Sequence, residues 1–128
     1  MVGVDVDPVL IAAAGADSPG PHYLVADLAG FDLPAVWPQA FDAILCAGNV
    51  MTFLHPDTRV PALAGMAGRL TGTGRAVIGF GAGRGYDFDE FVVDAASAGL
   101  ALEQRFSTWD LRPFSADAQF QVAVLSAR

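Results

Sequence analysis

Asp5 closes the run Val2-Gly-Val-Asp, and a carboxylate in that position can accept hydrogen bonds from both hydroxyls of a ribose. Asp7 stands directly before Pro8 and has the spacing of a helix N-cap, so we assign capping to Asp7 and ligand binding to Asp5. Asp27 follows His22-Tyr-Leu-Val-Ala. As an acceptor-only group it can take the exocyclic amine of a base. It can equally close an Asx turn, and the two readings stand level. Gly48 and Asn49 punctuate the end of Phe41-Asp-Ala-Ile-Leu-Cys46. His55, in Leu54-His-Pro, has the chemistry of a general base, but a surface residue ahead of a helix is the plainer reading and is preferred. Trp109 and Arg112 can line a pocket by stacking and by pairing with a carboxylate; Trp109 can also anchor a hairpin.

Gly79-Phe-Gly-Ala-Gly-Arg-Gly85 imitates a phosphate loop, because it lies between a strand pattern and a helix pattern. The dinucleotide fingerprint Gly-x-Gly-x-x-Gly fails there: its last place falls on Arg84 when counted from Gly79, and on Tyr86 when counted from Gly81. The segment reads as a lid or acceptor loop, with a plain connection as the alternative.

These residues need elements to position them. Val2–Val6, His22–Ala26, Phe41–Cys46 and Arg75–Phe80 are short β-branched or apolar runs and read as strands. Phe41–Cys46 is apolar on both faces, as in a buried parallel strand. Pro8–Ala14 reads as a helix followed by a turn over Gly15–Pro21. Asp57–Leu70 carries Ala62, Leu63, Met66 and Leu70 at helical spacing, with Thr71–Gly74 as its turn. Asp87–Ala98 presents Phe88, Phe91, Val92 and Ala95 on one face and ends at Gly99. Leu100–Thr108 and Gln119–Ser126 form a final antiparallel pair. The alternation predicts an α/β fold, a mostly parallel sheet with an antiparallel C-terminal strand pair. Ligands of such sheets bind at the carboxyl ends of the strands, where Asp5, Asp27, Asn49 and Gly79–Gly85 would lie.

Composition bounds the partners. The 128 residues suit one domain, 1–128, and 53% are apolar. Seven arginines, no lysine and fourteen acids give a net charge of −7, which disfavours a nucleic-acid ligand. One cysteine, Cys46, rules out an intrachain disulfide, and the two histidines show no metal-site spacing. Cys46 is expected to pack inside its strand. No run approaches the length of a membrane helix, and the acidic start lacks a signal-peptide pattern; a cytoplasmic protein is expected.

In order and spacing, the pieces resemble class I S-adenosylmethionine-dependent methyltransferases from that family's second strand onward. Val2-Gly-Val-Asp-Val-Asp-Pro resembles the second strand with its acidic ribose binder, and Leu24-Val-Ala-Asp-Leu28 the adenine segment. Phe41–Val50 resembles the fourth strand and the loop beneath the cofactor, and Arg69–Ile78 the turn and fifth strand. Trp109-Asp-Leu-Arg-Pro-Phe114 would lie between strands six and seven. The resemblance implies a Rossmann-like methyltransferase sheet and S-adenosylmethionine as cofactor. It implies Asp5 and Val6 at the ribose, Asp27 and Leu28 at the adenine, and Ala47, Gly48 and Asn49 near the sulfonium. Transfer would go to a small-molecule acceptor, with no nucleic acid, membrane or metal involved.

The family's central first strand and its Gly-x-Gly-x-Gly loop have no counterpart in these residues. Their lack would leave two strand edges unpaired or force the flanking strands together. We expect a coding start placed too late, with Val in the position of Met1. A partner strand or homo-oligomer completing the sheet, and a non-catalytic remnant that holds cofactor poorly or not at all, are the alternatives. A nicotinamide-dependent reductase is disfavoured by the failed glycine fingerprint.

Overall fold

A computed structural model describes residues 1–128. In chain order the elements are β1 (Val2–Asp5), α1 (Pro8–Asp17), β2 (His22–Val25), β3 (Phe41–Cys46), α2 (Val50–Phe53), α3 (Pro56–Arg69), β4 (Leu70–Gly81), α4 (Phe88–Ser97), β5 (Leu100–Phe106) and β6 (Phe120–Ala127). They form two sheets. β1 and β2 pair in parallel, with Val2 opposite His22 and Asp5 opposite Val25. The second sheet runs β3-β4-β6-β5. β3 is parallel to β4, and β6 inserts antiparallel between β4 and β5. No ladder joins β1 to β3. Of the two consequences expected from a missing central strand, unpaired edges are the one observed.

The core lies on one face of the four-stranded sheet. β4 alternates strictly there: Ala76, Ile78 and Phe80 are fully buried against Leu63 and Met66 of α3 and Phe91 and Ala95 of α4. Period-two alternation on the strand meeting an apolar stripe on each helix is what makes this layer pack. Phe80 contacts Tyr86, Phe88 and Phe91 in stacked, tilted and edge-on geometry. Cys46 joins the core, and loss of hydration pushes its thiol up to about 11. No helix of the structure is long and apolar enough to cross a membrane.

Several boundaries depart from the sequence reading. Leu70 opens β4 instead of ending a helix, and Thr71–Gly74 is strand, not turn. The reason is an irregular start to the ladder: Phe41 pairs with Leu70, then the register shifts so that Ala43 meets Arg75. Gly74 is needed because a Cβ there would come within 2.9 Å of the Phe41 carbonyl oxygen. α1 continues through Gly15–Asp17, where a turn was expected, and closes with the Ser18 N–H donating to the Ala14 carbonyl at 2.8 Å. The single-turn helix α2 carried no signal of its own. Asp7 caps α1 through the Val9 N–H at 2.8 Å, and Gly99 takes the left-handed conformation after α4, as expected for both.

Candidate functional site

Asp5 is half-buried at the carboxyl end of β1. One of its oxygens accepts the Asp7 N–H at 2.8 Å, and the other makes no hydrogen bond within the protein. Val6 beside it is exposed. Asp27 is exposed, and one oxygen accepts the Ala29 N–H at 2.9 Å. That is the Asx turn weighed above; its second oxygen is free for another donor. Leu28 follows inside this turn, half-buried.

At the end of β3 the chain turns sharply through two left-handed residues, Gly48 (φ 72°) and Asn49 (φ 61°). Asn49 tolerates this conformation better than most residues with a Cβ. Its side chain does not cap α2. Its Oδ1 accepts the Gly81 N–H at 2.7 Å, tying the end of β3 to the end of β4. Ala47 and Gly48 are exposed, and nothing lies within 4 Å of a Cβ placed on Gly48. A ligand can therefore approach this backbone closely.

His55 is exposed and caps α3, its Nδ1 accepting the Asp57 N–H at 3.2 Å. That is the preferred structural reading, and the contact occupies one of the two ring nitrogens a base would use. Arg112 is exposed and faces Asp110 at 3.5 Å. Trp109 packs against Phe120 and over Gly79, where a Cβ would meet the indole Cζ2 at 2.5 Å. It is thus an anchor for the loop before β6, yet remains 44% exposed.

The loop after β4 is held at both ends. Asn49 fixes Gly81, and the Ala82 N–H donates to the Gln119 carbonyl at 2.9 Å. Arg59 of α3, buried, donates to the Gly85 carbonyl at 3.1 Å, faces Glu90 at 3.3 Å and lies 3.8 Å from the centre of the Tyr86 ring. Tyr86 donates to Asp94 at 2.6 Å; burial, then that carboxylate, push the phenol well above its ordinary value. Sequence reasoning missed this cluster, because nothing in the spacing of Arg59, Tyr86 and Asp94 links α3 to α4. No group of three or more His, Cys, Asp or Glu side chains is placed to hold a metal ion.

The chain carries an acid at the carboxyl end of β1 and a tight glycine turn after β3, at the edge where open α/β sheets bind their ligands. The comparisons make this specific. A TehB-like SAM-dependent methyltransferase from Corynebacterium glutamicum is 46% identical, with a TM-score of 0.91 over 99% of this chain and 67% of its own. The chain belongs to the SAM-dependent methyltransferase family. A SAM-dependent methyltransferase from Clostridium acetobutylicum superposes with a TM-score of 0.85 at 8% identity, over 98% of this chain and 74% of its own. The N-methyltransferase NodS from Bradyrhizobium japonicum, in complex with S-adenosyl-l-homocysteine, does so at 0.75 and 18%, over 98% and 65%. These two share the fold. No protein-family model and no curated protein matches the chain.

Proposed function

We propose that this chain, as a single cytoplasmic domain, transfers a methyl group from S-adenosylmethionine to a small-molecule acceptor. The observation that carries the proposal is the 46% identity to a methyltransferase along 99% of the chain. When bound, S-adenosylmethionine supplies a methyl group on a sulfonium, open to in-line displacement. The protein's part is then to bind and orient. The free oxygen of Asp5 would accept ribose hydroxyls, with Val6 beside the sugar. Asp27, through the oxygen outside its turn, and Leu28 would meet the adenine. Ala47, Gly48 and Asn49 would present open backbone near the sulfonium. A base is required only where the acceptor atom must lose a proton, so His55 has no necessary role.

A second reading has its own support. β1 and β3 each keep one edge without a strand partner, and Asp5 and Asn49 lie on different sheets. A remnant or interaction domain, or a chain completed by a strand from a partner or a second copy, is consistent with that gap. Calorimetric titration with S-adenosylhomocysteine separates the readings. The methyltransferase reading expects a Kd at or below about 100 µM, roughly −5.5 kcal/mol, and at least about tenfold weaker binding by Asp5→Ala. No detectable binding would reject cofactor use by this chain alone and leave the remnant. Equal binding by Asp5→Ala would remove Asp5 from the site.

A further inference from the structure

We infer that Trp109 and Arg84 form the acceptor subsite, and that it is built for a planar organic molecule carrying one carboxylate; the inference rests on the methyltransferase reading. β4 is bare at two successive positions of the face turned away from α3 and α4. These are Gly79 and Gly81. A side chain from elsewhere occupies the first and borders the second. A Cβ at Gly79 would lie 2.5 Å from Trp109 Cζ2 and 3.1 Å from Phe120 Cε1. A Cβ at Gly81 would lie 3.5 Å from Arg84 Nε and 3.5 Å from Asn49 Oδ1. Same-face neighbours on a strand are about 7 Å apart, so the indole and the guanidinium border adjacent positions of one face. They do so next to the turn that ties β3 to β4.

The charge state of Arg84 selects the ligand. Arg59, Arg75, Arg105 and Arg112 each face a carboxylate, and Arg69 donates to the Gly65 and Phe31 carbonyls. Arg84 makes no hydrogen bond or ion pair; it is exposed, with its Nε beside Gly81. A guanidinium offers a fork that matches a carboxylate. A single cation on a chain of net charge −7 suits a monoanion and not a doubly charged phosphate. The half-exposed indole supplies a flat apolar surface for the body of the ligand. The site is also pre-formed: the backbone flanking Arg84 is fixed by Asn49 at Gly81, by Gln119 at Ala82 and by Arg59 at Gly85. Less ordering is then left for the ligand to impose. Arg112, the cation singled out in the sequence, is engaged with Asp110 and is not part of this pair.

Titrating the nitrogen-15-labelled chain with benzoate, benzamide and inorganic phosphate tests the inference. Benzoate is expected to shift the Trp109 indole N–H and the Arg84 Nε–H saturably. Benzamide, its uncharged counterpart, and Arg84→Gln titrated with benzoate should each bind at least about fivefold more weakly. Trp109→Ala should lose benzoate binding as well. Equal affinity for benzamide, phosphate as strong as benzoate, shifts centred on other residues, or an unchanged Arg84→Gln would overturn it. S-adenosylhomocysteine titrated into the same sample is followed at the amides of Asp5 and Gly48. Benzoate binding without cofactor binding breaks the methyltransferase reading and leaves the anion site. Cofactor binding without benzoate binding breaks only the subsite.

Discussion

Replacing Arg59 separates packing from charge in the cluster that holds the loop after β4. The side chain is only 8% exposed, and its Nε has no partner. Three contacts favour the guanidinium. A charged hydrogen bond to the Gly85 carbonyl at 3.1 Å is discounted to about 1 kcal/mol, because exposed Gly85 can turn to water instead. The pair with Glu90 is worth about 0–1 kcal/mol, since that carboxylate is 51% exposed. Lying 3.8 Å from the Tyr86 ring centre adds about 1–2 kcal/mol. Against them stand desolvation of the ion, several kcal/mol, and the orphaned Nε, about 1–3 kcal/mol. The costs match or exceed the contacts, so Arg59→Met, which keeps the stem volume, should leave unfolding free energy unchanged or raise it by up to about 2 kcal/mol. Arg59→Ala removes the packed stem as well and should cost about 2–4 kcal/mol. Glu90 adds no buried-charge penalty in either variant, because it already reaches water. Urea denaturation of the three proteins measures both differences. A methionine variant as unstable as the alanine variant would refute this reasoning and assign the stability to the polar contacts.

Three further outcomes are expected. Cys46, with its thiol raised from 9.0 to about 11, favours folding while neutral, so its contribution is complete below pH 9 and falls as the unfolded chain alone ionises. Stability should drop by up to about 1 kcal/mol between pH 9 and 10, before Tyr86 joins, in urea titrations, and Cys46→Ala should flatten that slope. Asn49→Ala leaves the Gly81 N–H unpaired and places an alanine at a left-handed φ; a loss of about 1–3 kcal/mol is expected, while Asn49→Gly should lose less, and equal losses would show that φ is not a factor. Gly79→Ala must displace the indole from 2.5 Å; the ring is half-exposed and can swing outward, so about 1 kcal/mol and a red-shifted Trp109 emission, read in a Trp37→Phe background, are expected. An unshifted spectrum would mean the strand yields instead of the ring.

What was legible in the sequence was whatever a local pattern fixes. Asp7 before Pro8 set the start of α1, Gly99 set the end of α4, and the stripe Phe88, Phe91, Val92 and Ala95 set the buried face of α4. Asp7 was legible as the cap by its spacing to Pro8, and it accepts the Val9 N–H. Long-range pairing was not legible. Thr71–Gly74 has the composition of a turn, and only the approach of the Phe41 and Asp42 carbonyls to Gly74 explains why it is strand. Arg84 carries no signal inside a glycine-rich loop, because only the fold sets it beside Gly81 and Asn49. Arg112 attracted attention through its proximity to Trp109 in the chain, whereas its own partner is Asp110.

The separation of the two sheets bears directly on cofactor affinity. Asp5 belongs to the β1–β2 sheet and Asn49 to the β3–β6 sheet, with no backbone ladder between them. What links the halves is the segment between β2 and β3. Arg69 of α3 donates to the Phe31 carbonyl at 2.6 Å and stacks over its ring, Leu33 is buried, and Trp37 stacks on His22. α1 buries none of its residues, and Val9, Leu10, Leu45 and Phe53 all stand in water. A ligand spanning Asp5 and Asn49 must therefore fix the relative placement of two sheets through side-chain contacts alone. If only a fraction of molecules holds the binding geometry, the apparent Kd rises by the inverse of that fraction. A strand inserted between β1 and β3 would fix the geometry by backbone hydrogen bonds. On the proposed site, with Asp5 and Asn49 both holding the cofactor, S-adenosylhomocysteine affinity reads how firmly the sheets are coupled. Arg69→Ala, which cuts that link without touching Asp5 or Asn49, should weaken binding in the isolated chain. It should have little effect once a strand joins the sheets.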